Sequence, residues 1–344
     1  MSRKDKDVLA RSLLITFTLP TLVLGFTHGP EGQLQAIYAK HAGISLGAIA
    51  LAVLLTKLFD GITYPLIGYL SDRSFARSGS RKRWIIAGTL LSMLGLWFLM
   101  RPPRDVGVWY FGIWMGVLYL GWKLTEIPFQ SWSFGLSDDH DERSRVQAWR
   151  ALGQLLGQLL FFATPLLAVQ LGFSESTELD FNALGVAAVI SVVLLPLCTA
   201  IALWRVREGN GAAPAKPRTQ TFTLARTLEN LRGNRPMLHL LAAFLPVALL
   251  TSLSTGVSYF FIDSYLGLSK QFPAIMALSL LSTVVGIPFW TAMARRHEIH
   301  HVWATALVIG GAAAGASCFL VPGSPVVFNF ILMPVLMFSL SSTV

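Results

Sequence analysis

Long apolar runs recur along the whole chain, and short polar segments separate each run from the next. A helix that crosses the hydrocarbon layer of a membrane needs about 20 mostly apolar residues. Because a helix satisfies its own backbone in lipid, and no alternating ten-residue barrel pattern is present, the runs predict an all-α polytopic membrane protein. The predicted spans are 9–29, 45–70, 84–100, 106–131, 147–171, 183–204, 237–262, 274–294, 302–321 and 325–344.

The composition agrees with this prediction. Hydrophobic residues make up 53% of the 344-residue chain and charged residues only 13%, whereas soluble domains carry about 25% charged residues. So few polar side chains cannot cover a water-soluble globule of this length, and the same composition excludes a disordered chain. Two cysteines are too few for a disulfide scaffold.

Lysine and arginine concentrate in alternate loops, mainly in residues 1–11, 71–83, 143–150 and 205–235. The loops on the opposite side carry only Lys40, Arg101, Arg104 and Lys270. By the positive-inside rule we predict a multi-pass protein of the cytoplasmic (inner) membrane with its N-terminus in the cytoplasm. Topology thus accounts for the net charge of +9, and the bilayer rather than nucleic acid is the expected partner.

Residues 205–235 form the longest polar stretch, and a repeat is visible across it. PLIGYLSDR at 65–73 and PFWTAMARR at 288–296 both place arginine eight positions after proline at the predicted cytoplasmic edge. We therefore predict an N-terminal six-helix bundle (1–204), a cytoplasmic linker (205–235) and a second bundle (236–344) with about four of its six helices, or about 10 of 12 spans.

Ionisable groups at membrane depth are expensive and indicate function. Two predicted spans each contain a base and an acid three residues apart: Lys57 with Asp60, and Lys123 with Glu126. Each couple lies on one helical face, where the two can pair, and Pro65 and Pro128 are expected to break the helices nearby. The pattern predicts a polar, water-accessible pathway. The alternative is that each couple only neutralises itself.

Arg150 opens the fifth span on a face that it shares with glutamines. It is a candidate for the same pathway, and the alternative is an interfacial arginine that reaches lipid phosphates.

Gly153 and Gly157 form a GxxxG pattern that predicts helix packing.

His297, Glu298 and His301 spell HExxH, the zinc pattern of metalloproteases. The motif follows two arginines, Arg295 and Arg296, which repel a cation, and no third ligand is evident. We therefore predict a cytoplasmic loop there, with no metal site and no cofactor.

Several motifs resemble a known family. GYLSDR at 68–73 followed by RKR at 81–83 resembles the major facilitator superfamily. FDGITYPLIGYLSDR (59–73) and TEIPFQSWSFGLSDDHDERSRVQAWR (125–150) resemble the glycoside–pentoside–hexuronide:cation symporters, the family of the melibiose carrier. The resemblance implies two six-helix bundles, alternating access, and sugar transport coupled to sodium or a proton.

By this resemblance, Asp60 matches the first aspartate of the family's cation site, Glu126 an acid that contacts sugar hydroxyls, and Arg150 an arginine of that region. The predicted substrate-binding residues are Glu126, Arg150, Trp149, Gln130 and Glu31, of which Glu31 is the nearest match to the family's acid in span 1.

Two departures from the family concern the cation. Tyr64 stands where a second aspartate is usual, and Lys123 replaces a hydroxyl-bearing ligand. We predict a charge network of Asp60, Lys57, Lys123 and Tyr64, in which Lys123 pairs with Asp60 or Glu126 in place of the cation. Transport would then be proton-coupled or uncoupled, without sodium.

Asp72, Arg73, Asp141 and Arg143 lie in the two loops that gate the cytoplasmic side in this family. We predict that they form contacts there that break as the bundles rock. The alternative is a pair of solvated charged loops.

The sequence thus predicts a secondary transporter, not an enzyme, that moves a small polar solute, a sugar or glycoside, and acts as a monomer. A lysophospholipid or other amphiphile is the alternative substrate class. The alternative from another class is a membrane-embedded metallohydrolase.

Overall fold

The computed structural model describes residues 9–28, 31–137, 139–206, 208, 234–239, 242, 245–246 and 257–341. Most of these residues are helical, and none of them lies in a strand. The elements are α1 (Arg11–His28), α2 (Glu31–His41), α3 (Leu46–Ser78), α4 (Lys82–Met100), α5 (Val108–Phe134), α6 (His140–Phe161), α7 (Thr164–Gln170), α8 (Phe181–Arg205), a π-helical turn (Phe261–Tyr265), α9 (Phe272–Ala294), α10 (Ile299–Ser317) and α11 (Val327–Leu340).

A helix stands at every predicted span except 237–262, most of which lies outside the described residues, as does most of the predicted linker 205–235. Among the described residues six helices are long and apolar enough to cross a membrane, or seven if the bent pair α6–α7 is one span. Helix α5 has 27 residues, but its Trp, Tyr and charged side chains lower its hydropathy. Helix α11 has only 14 residues.

Two local predictions are wrong. Residues 31–41, expected in a loop, form α2, because Leu34, Ile37 and Tyr38 recur at helical spacing and bury one face of a helix too short to span a membrane. Pro65 and Pro128 do not break α3 and α5, which are continuous through both positions.

Glycines allow the closest helix contacts. Helices α1 and α6 pack along much of their length, as do α4 and α5. A Cβ added at Gly157 would lie 2.6 Å from the backbone nitrogen of Phe26, and one at Gly121 would lie 2.8 Å from Ser92 Oγ. The GxxxG pattern of α6 therefore serves helix packing, as the sequence predicts.

Replacing Gly157 with alanine should destabilise the protein by about 1–3 kcal/mol, because the added methyl forces α1 and α6 apart. Thermal melting in detergent measures this. Gly116→Ala in α5 is the control, since no atom lies within 4 Å of its added Cβ. Equal melting temperatures for the two variants would contradict the packing account.

The helix bundle has two ends, which we name after the predicted orientation. The outer end holds the end of α2, the α4–α5 loop and the start of α8; the inner end holds the α3–α4 and α5–α6 loops.

Helix α6 contacts α9, and the rings of Phe162 and Phe272 meet edge-on at 6.2 Å. These contacts join the earlier helices to the later ones.

Candidate functional site

A polar stripe runs along one face of α5, and we call it the α5 stripe. It consists of Tyr119, Lys123, Glu126, Gln130 and Ser133. Spacings of four, three, four and three residues put these side chains on one face of the helix. All lie partly or fully buried except Gln130, which is exposed. Four of these residues, Tyr119, Lys123, Glu126 and Ser133, contact charged partners on other helices.

Toward the outer end, an acid, a base and a phenol from three helices meet. Lys57 Nζ of α3 lies 2.7 Å from Glu31 Oε1 of α2, and the Tyr119 hydroxyl donates to the same oxygen. Lys57 Nζ also lies 4.3 Å from the centroid of the Tyr119 ring. The side chains of Lys57 and Glu31 are 50% and 31% exposed, so this is the most accessible of the three ion pairs.

One turn further along α5, Lys123 forms an ion pair with Asp60 of α3. The Lys123 side chain is 3% exposed and that of Asp60 is 16% exposed. The ring centroid of Tyr64, one turn along α3, lies 6.0 Å from Lys123 Nζ. Because an unpaired ammonium at this depth would be strongly unfavourable, Asp60 compensates its charge.

Toward the inner end, Arg150 of α6 pairs with Glu126. Arg150 Nη2 lies 2.5 Å from Glu126 Oε1, and Nη1 donates to Gln147 Oε1 at 3.0 Å and Ser133 Oγ at 3.4 Å. The guanidinium carbon lies 5.5 Å from the Phe129 ring centroid. Arg150 is only 5% exposed, so the alternative of an interfacial arginine on lipid phosphates does not hold.

The ion pairs connect different helices. The alternative that each couple only neutralises itself within one helix does not hold, because each base pairs with an acid across a helix interface. Lys123 pairs with Asp60, one of its two predicted partners. Helix α3 packs on α5, which brings Asp60 opposite Lys123. The three pairs contain three acids and three bases, so the group carries no net charge.

The other predicted site residues lie near the stripe or beside it. Gln130 is an exposed member of the stripe, and Trp149 is partly buried against an apolar cluster of the inner end. A substrate contact for either remains a prediction. Among the described residues, one cavity of about 470 Å³ adjoins the α9–α10 junction and another of about 520 Å³ lies at the outer end. No ion-paired residue of the stripe lines either.

Two of the predicted gating residues, Asp72 and Arg143, contact residues that lie close to them in the chain. Asp72 Oδ1 lies 3.1 Å from Arg81 Nη2, and Arg143 Nε donates to the Ser137 carbonyl at 2.7 Å. Asp141 and Arg73 are exposed. The gating role assigned to these four residues remains a prediction.

A charged cluster at the outer end was not foreseen. Lys40 Nζ lies 2.5 Å from Glu178 Oε1 and 2.9 Å from Asp263 Oδ1, and we call these three residues the outer triad. The Asp263 side chain is 1% exposed and also accepts from the Ser264 hydroxyl at 3.1 Å. His41 Nε2 approaches Glu178 at 3.6 Å. Lys40 and Glu178 belong to the first predicted bundle and Asp263 to the second.

A second contact crosses between the same parts of the chain. The Thr177 hydroxyl donates to the Lys270 carbonyl at 3.1 Å. A signal for the triad was available, because Lys40 is one of only four basic residues in the predicted outer loops. Its acidic partners could not be identified from the sequence, since they lie 138 and 223 positions away.

The HExxH motif does not form a metalloprotease helix. His297 precedes α10, which begins at Ile299, so its two histidines do not share one helical face. Ligand atoms of Glu298, His300 and His301 lie within 4.8 Å of one another, and all three residues are exposed. His300, which is not one of the three defining residues of the HExxH pattern, is the third donor of this group.

Relatives share parts of the chain at low identity. The sodium-dependent lysophosphatidylcholine symporter 1-B of Danio rerio is 22% identical over 270 residues, 68% of this chain and 50% of that protein. The inner membrane symporter YicJ of Escherichia coli (strain K12) is 24% identical over 165 residues, 47% of this chain and 36% of that protein. The chain spans about half the length of the first curated relatives it matches.

The fold is similar to that of a solved transporter. The crystal structure of a D-xylose–proton symporter matches 96% of this chain and 80% of its own with a TM-score of 0.60, at 13% identity. A family model described as MFS/sugar transport protein matches residues 20–344. The all-helical structure and this match confirm the predicted fold class and the resemblance of the loop motifs. The chain belongs to the MFS/sugar transport family of the major facilitator superfamily.

Proposed function

We propose that this protein is a secondary active transporter that moves a small, uncharged polar solute, a sugar or glycoside, across the inner membrane by alternating access. The observation that carries the proposal is the set of three cross-helix ion pairs along the α5 stripe. Charged groups at membrane depth indicate a solute or ion pathway. The family and the fold favour a transporter over the metallohydrolase alternative.

The chemistry of the stripe suits hydroxyl groups. Carboxylates accept hydrogen bonds, while guanidinium and ammonium groups donate them, so neighbouring hydroxyls of a sugar can be bound from both sides. Because the three pairs sum to no net charge, they offer no excess charge to an ionic solute. The hydroxyls of a neutral solute can take over some hydrogen bonds of an ion pair. The acid and the base then stay close together, so neither charge is left without its partner.

The outer triad supports alternating access. It joins the two predicted bundles at the outer end, while at the inner end Asp72 pairs with Arg81 and Arg143 donates to the Ser137 carbonyl, both within the first predicted bundle. This combination corresponds to a transporter that is closed on the outer side. We infer that the triad must break for solute to enter from outside. The N-terminus in the cytoplasm and a monomeric state belong to the same proposal.

We propose that Lys123 takes the place of the coupling cation. Its ammonium already pairs with Asp60, and both are largely shielded from solvent. A sodium ion would have to displace this paired lysine. Uptake is therefore expected to be proton-coupled or uncoupled, and to be equal in sodium and potassium media.

Replacing Lys123 with serine should make uptake sodium-stimulated by about tenfold, because it frees the Asp60 carboxylate and adds a hydroxyl ligand. Uptake into proteoliposomes in sodium or potassium media measures this. Lys57→Ser is the matched control, since it makes the same exchange at the other lysine of the network, whose partner Glu31 keeps the hydrogen bond from Tyr119. Sodium stimulation of the unaltered protein would contradict the role of Lys123.

A relative that is named a lysophosphatidylcholine symporter favours an amphiphile as the second candidate. The full chain in proteoliposomes, tested in parallel with radiolabelled sugars and with radiolabelled lysophosphatidylcholine, separates the two. We expect saturable uptake of at least one sugar or glycoside and no saturable uptake of the lipid. Uptake of the lipid alone would replace the sugar proposal.

A further inference from the structure

A groove at the outer end lies apart from the α5 stripe. It has a volume of about 520 Å³ and lies between the end of α4, helix α7 with the segment after it, and the first turns of α8. Its walls are mostly apolar side chains, among them Leu167, Leu171, Phe173 and Val189. Phe173 is 63% and Leu171 is 62% exposed, so the groove opens to its surroundings.

The groove has a polar end and an apolar end. Residues 182, 185, 186, 189 and 190 of α8 line it at helical spacing. At a rise of about 1.5 Å per residue, this face runs roughly 12 Å from the start of α8 toward the membrane interior. Asn182 and Arg101 stand at the outer end, and Val189 and Ile190 stand at the deep end.

Arg101 provides the charge at the polar end. It caps α4, is exposed, and holds its guanidinium carbon 4.7 Å from the Trp97 ring centroid. Its stem lies over α8 at Gly185, where a Cβ would be 3.9 Å from the arginine Cγ and Nε.

No acidic residue lines the groove among the described residues. The nearest carboxylate in sequence, Asp180, lies beside the polar end and has two hydrogen-bond donors of its own: it accepts from the backbone nitrogen of Ala183 at 2.9 Å and from Nδ2 of the groove residue Asn182 at 3.1 Å. Arg101 is therefore the charged group that lines the groove and can bind an anion at the polar end, and the apolar length of the groove can accommodate a hydrocarbon chain.

We propose that this groove binds a phospholipid of the bilayer with an anionic head group. Its phosphate lies on the Arg101 guanidinium, which donates two parallel hydrogen bonds, and one acyl chain follows the α8 face between Leu167 and Val189. The lipid is a resident ligand and not the transported solute, so this site is independent of the proposed function.

The test is lipid binding to the full chain in detergent, measured by native mass spectrometry. The probes are phosphatidylglycerol and phosphatidylcholine with identical acyl chains. We expect phosphatidylglycerol to bind at least about tenfold more tightly, and Arg101→Gln to remove that preference without changing the melting temperature. Arg104→Gln, an exposed arginine of the same loop, is the matched control and should leave the preference intact.

Val189→Trp tests the apolar part independently, because the larger ring fills the groove and should weaken binding of both lipids. Equal binding of both lipids by the unaltered protein, or equal losses in the Arg101 and Arg104 variants, would overturn the proposal. Competition by inorganic phosphate at the concentration of the lipid would also overturn it, since the acyl chain would then contribute nothing.

Discussion

Replacing Lys40 with alanine is expected to shift the protein away from the proposed outer-closed conformation by about tenfold or more. The mutation leaves two carboxylates, Glu178 and the buried Asp263, facing each other without the ammonium between them. Breaking a buried ion pair from one side is strongly unfavourable, because the remaining charge is uncompensated. The two bundles should separate at the outer end so that Asp263 can be hydrated.

A cross-linking assay measures this shift. Cysteines at Thr177 and Lys270, whose contact spans the same two parts of the chain, should cross-link readily in the otherwise unaltered protein and several-fold more slowly with Lys40→Ala. Arg104→Ala is the control for loss of a positive charge at the outer end. The exchange Lys40→Asp with Asp263→Lys restores one base between two acids and should restore cross-linking. Unchanged cross-linking in Lys40→Ala would contradict the triad's role as an outer lock.

Replacing Arg150 with alanine should lower solute uptake by at least about 100-fold. Arg150 is 5% exposed, and its removal leaves Glu126 without its cation and the side-chain oxygen of Gln147 without its donor. Loss of one partner of such a pair costs about 3–5 kcal/mol. Arg150→Lys should recover less than a tenth of the activity, since an ammonium cannot reproduce the guanidinium's fork of donors.

A double variant separates solute binding from charge balance. Glu126→Gln with Arg150→Gln keeps a hydrogen-bonded neutral pair, so melting should return close to that of the unaltered protein while uptake stays low. If uptake returned together with stability, the pair would serve only the fold. Arg145→Gln is the matched control on the same helix: it removes a 3.0 Å ion pair with Glu142 outside the stripe, and uptake should stay within about threefold.

The sequence predicts the helices well because the signal is local. An apolar run of membrane length is visible without knowledge of its neighbours, and α3, α4 and α8 coincide with predicted spans to within a few residues, apart from a longer inner end of α3. Helix α2 was missed because 11 residues are too few for that signal. The prolines were misread because a single proline inside a long packed helix removes one hydrogen bond without ending the helix.

The site was predictable in its members but not in its pairs. Asp60, Lys123, Glu126 and Arg150 stand out because charge is rare in apolar runs. Which acid meets which base depends on the rotation of α3, α5 and α6 about their axes, and no spacing within one helix reveals that. The outer triad was also not predictable, because its members come from three distant segments and no local pattern shows that these segments meet.

The central claim is that the α5 stripe lines the solute's path, and accessibility at Gln130 tests it most directly. Gln130 is the exposed member of the stripe, next to Glu126 and one turn toward the inner end. With Cys198 and Cys318 replaced by alanine, a cysteine at position 130 is treated with a membrane-impermeant thiol reagent in inside-out vesicles. A cysteine at Ile113, an exposed apolar position of the same helix, is the control.

We predict that the cysteine at 130 is labelled much faster than the one at 113 and that a transported sugar slows its labelling. Labelling of both at the same low rate, or a rate at 130 that no transported solute changes, would contradict the account.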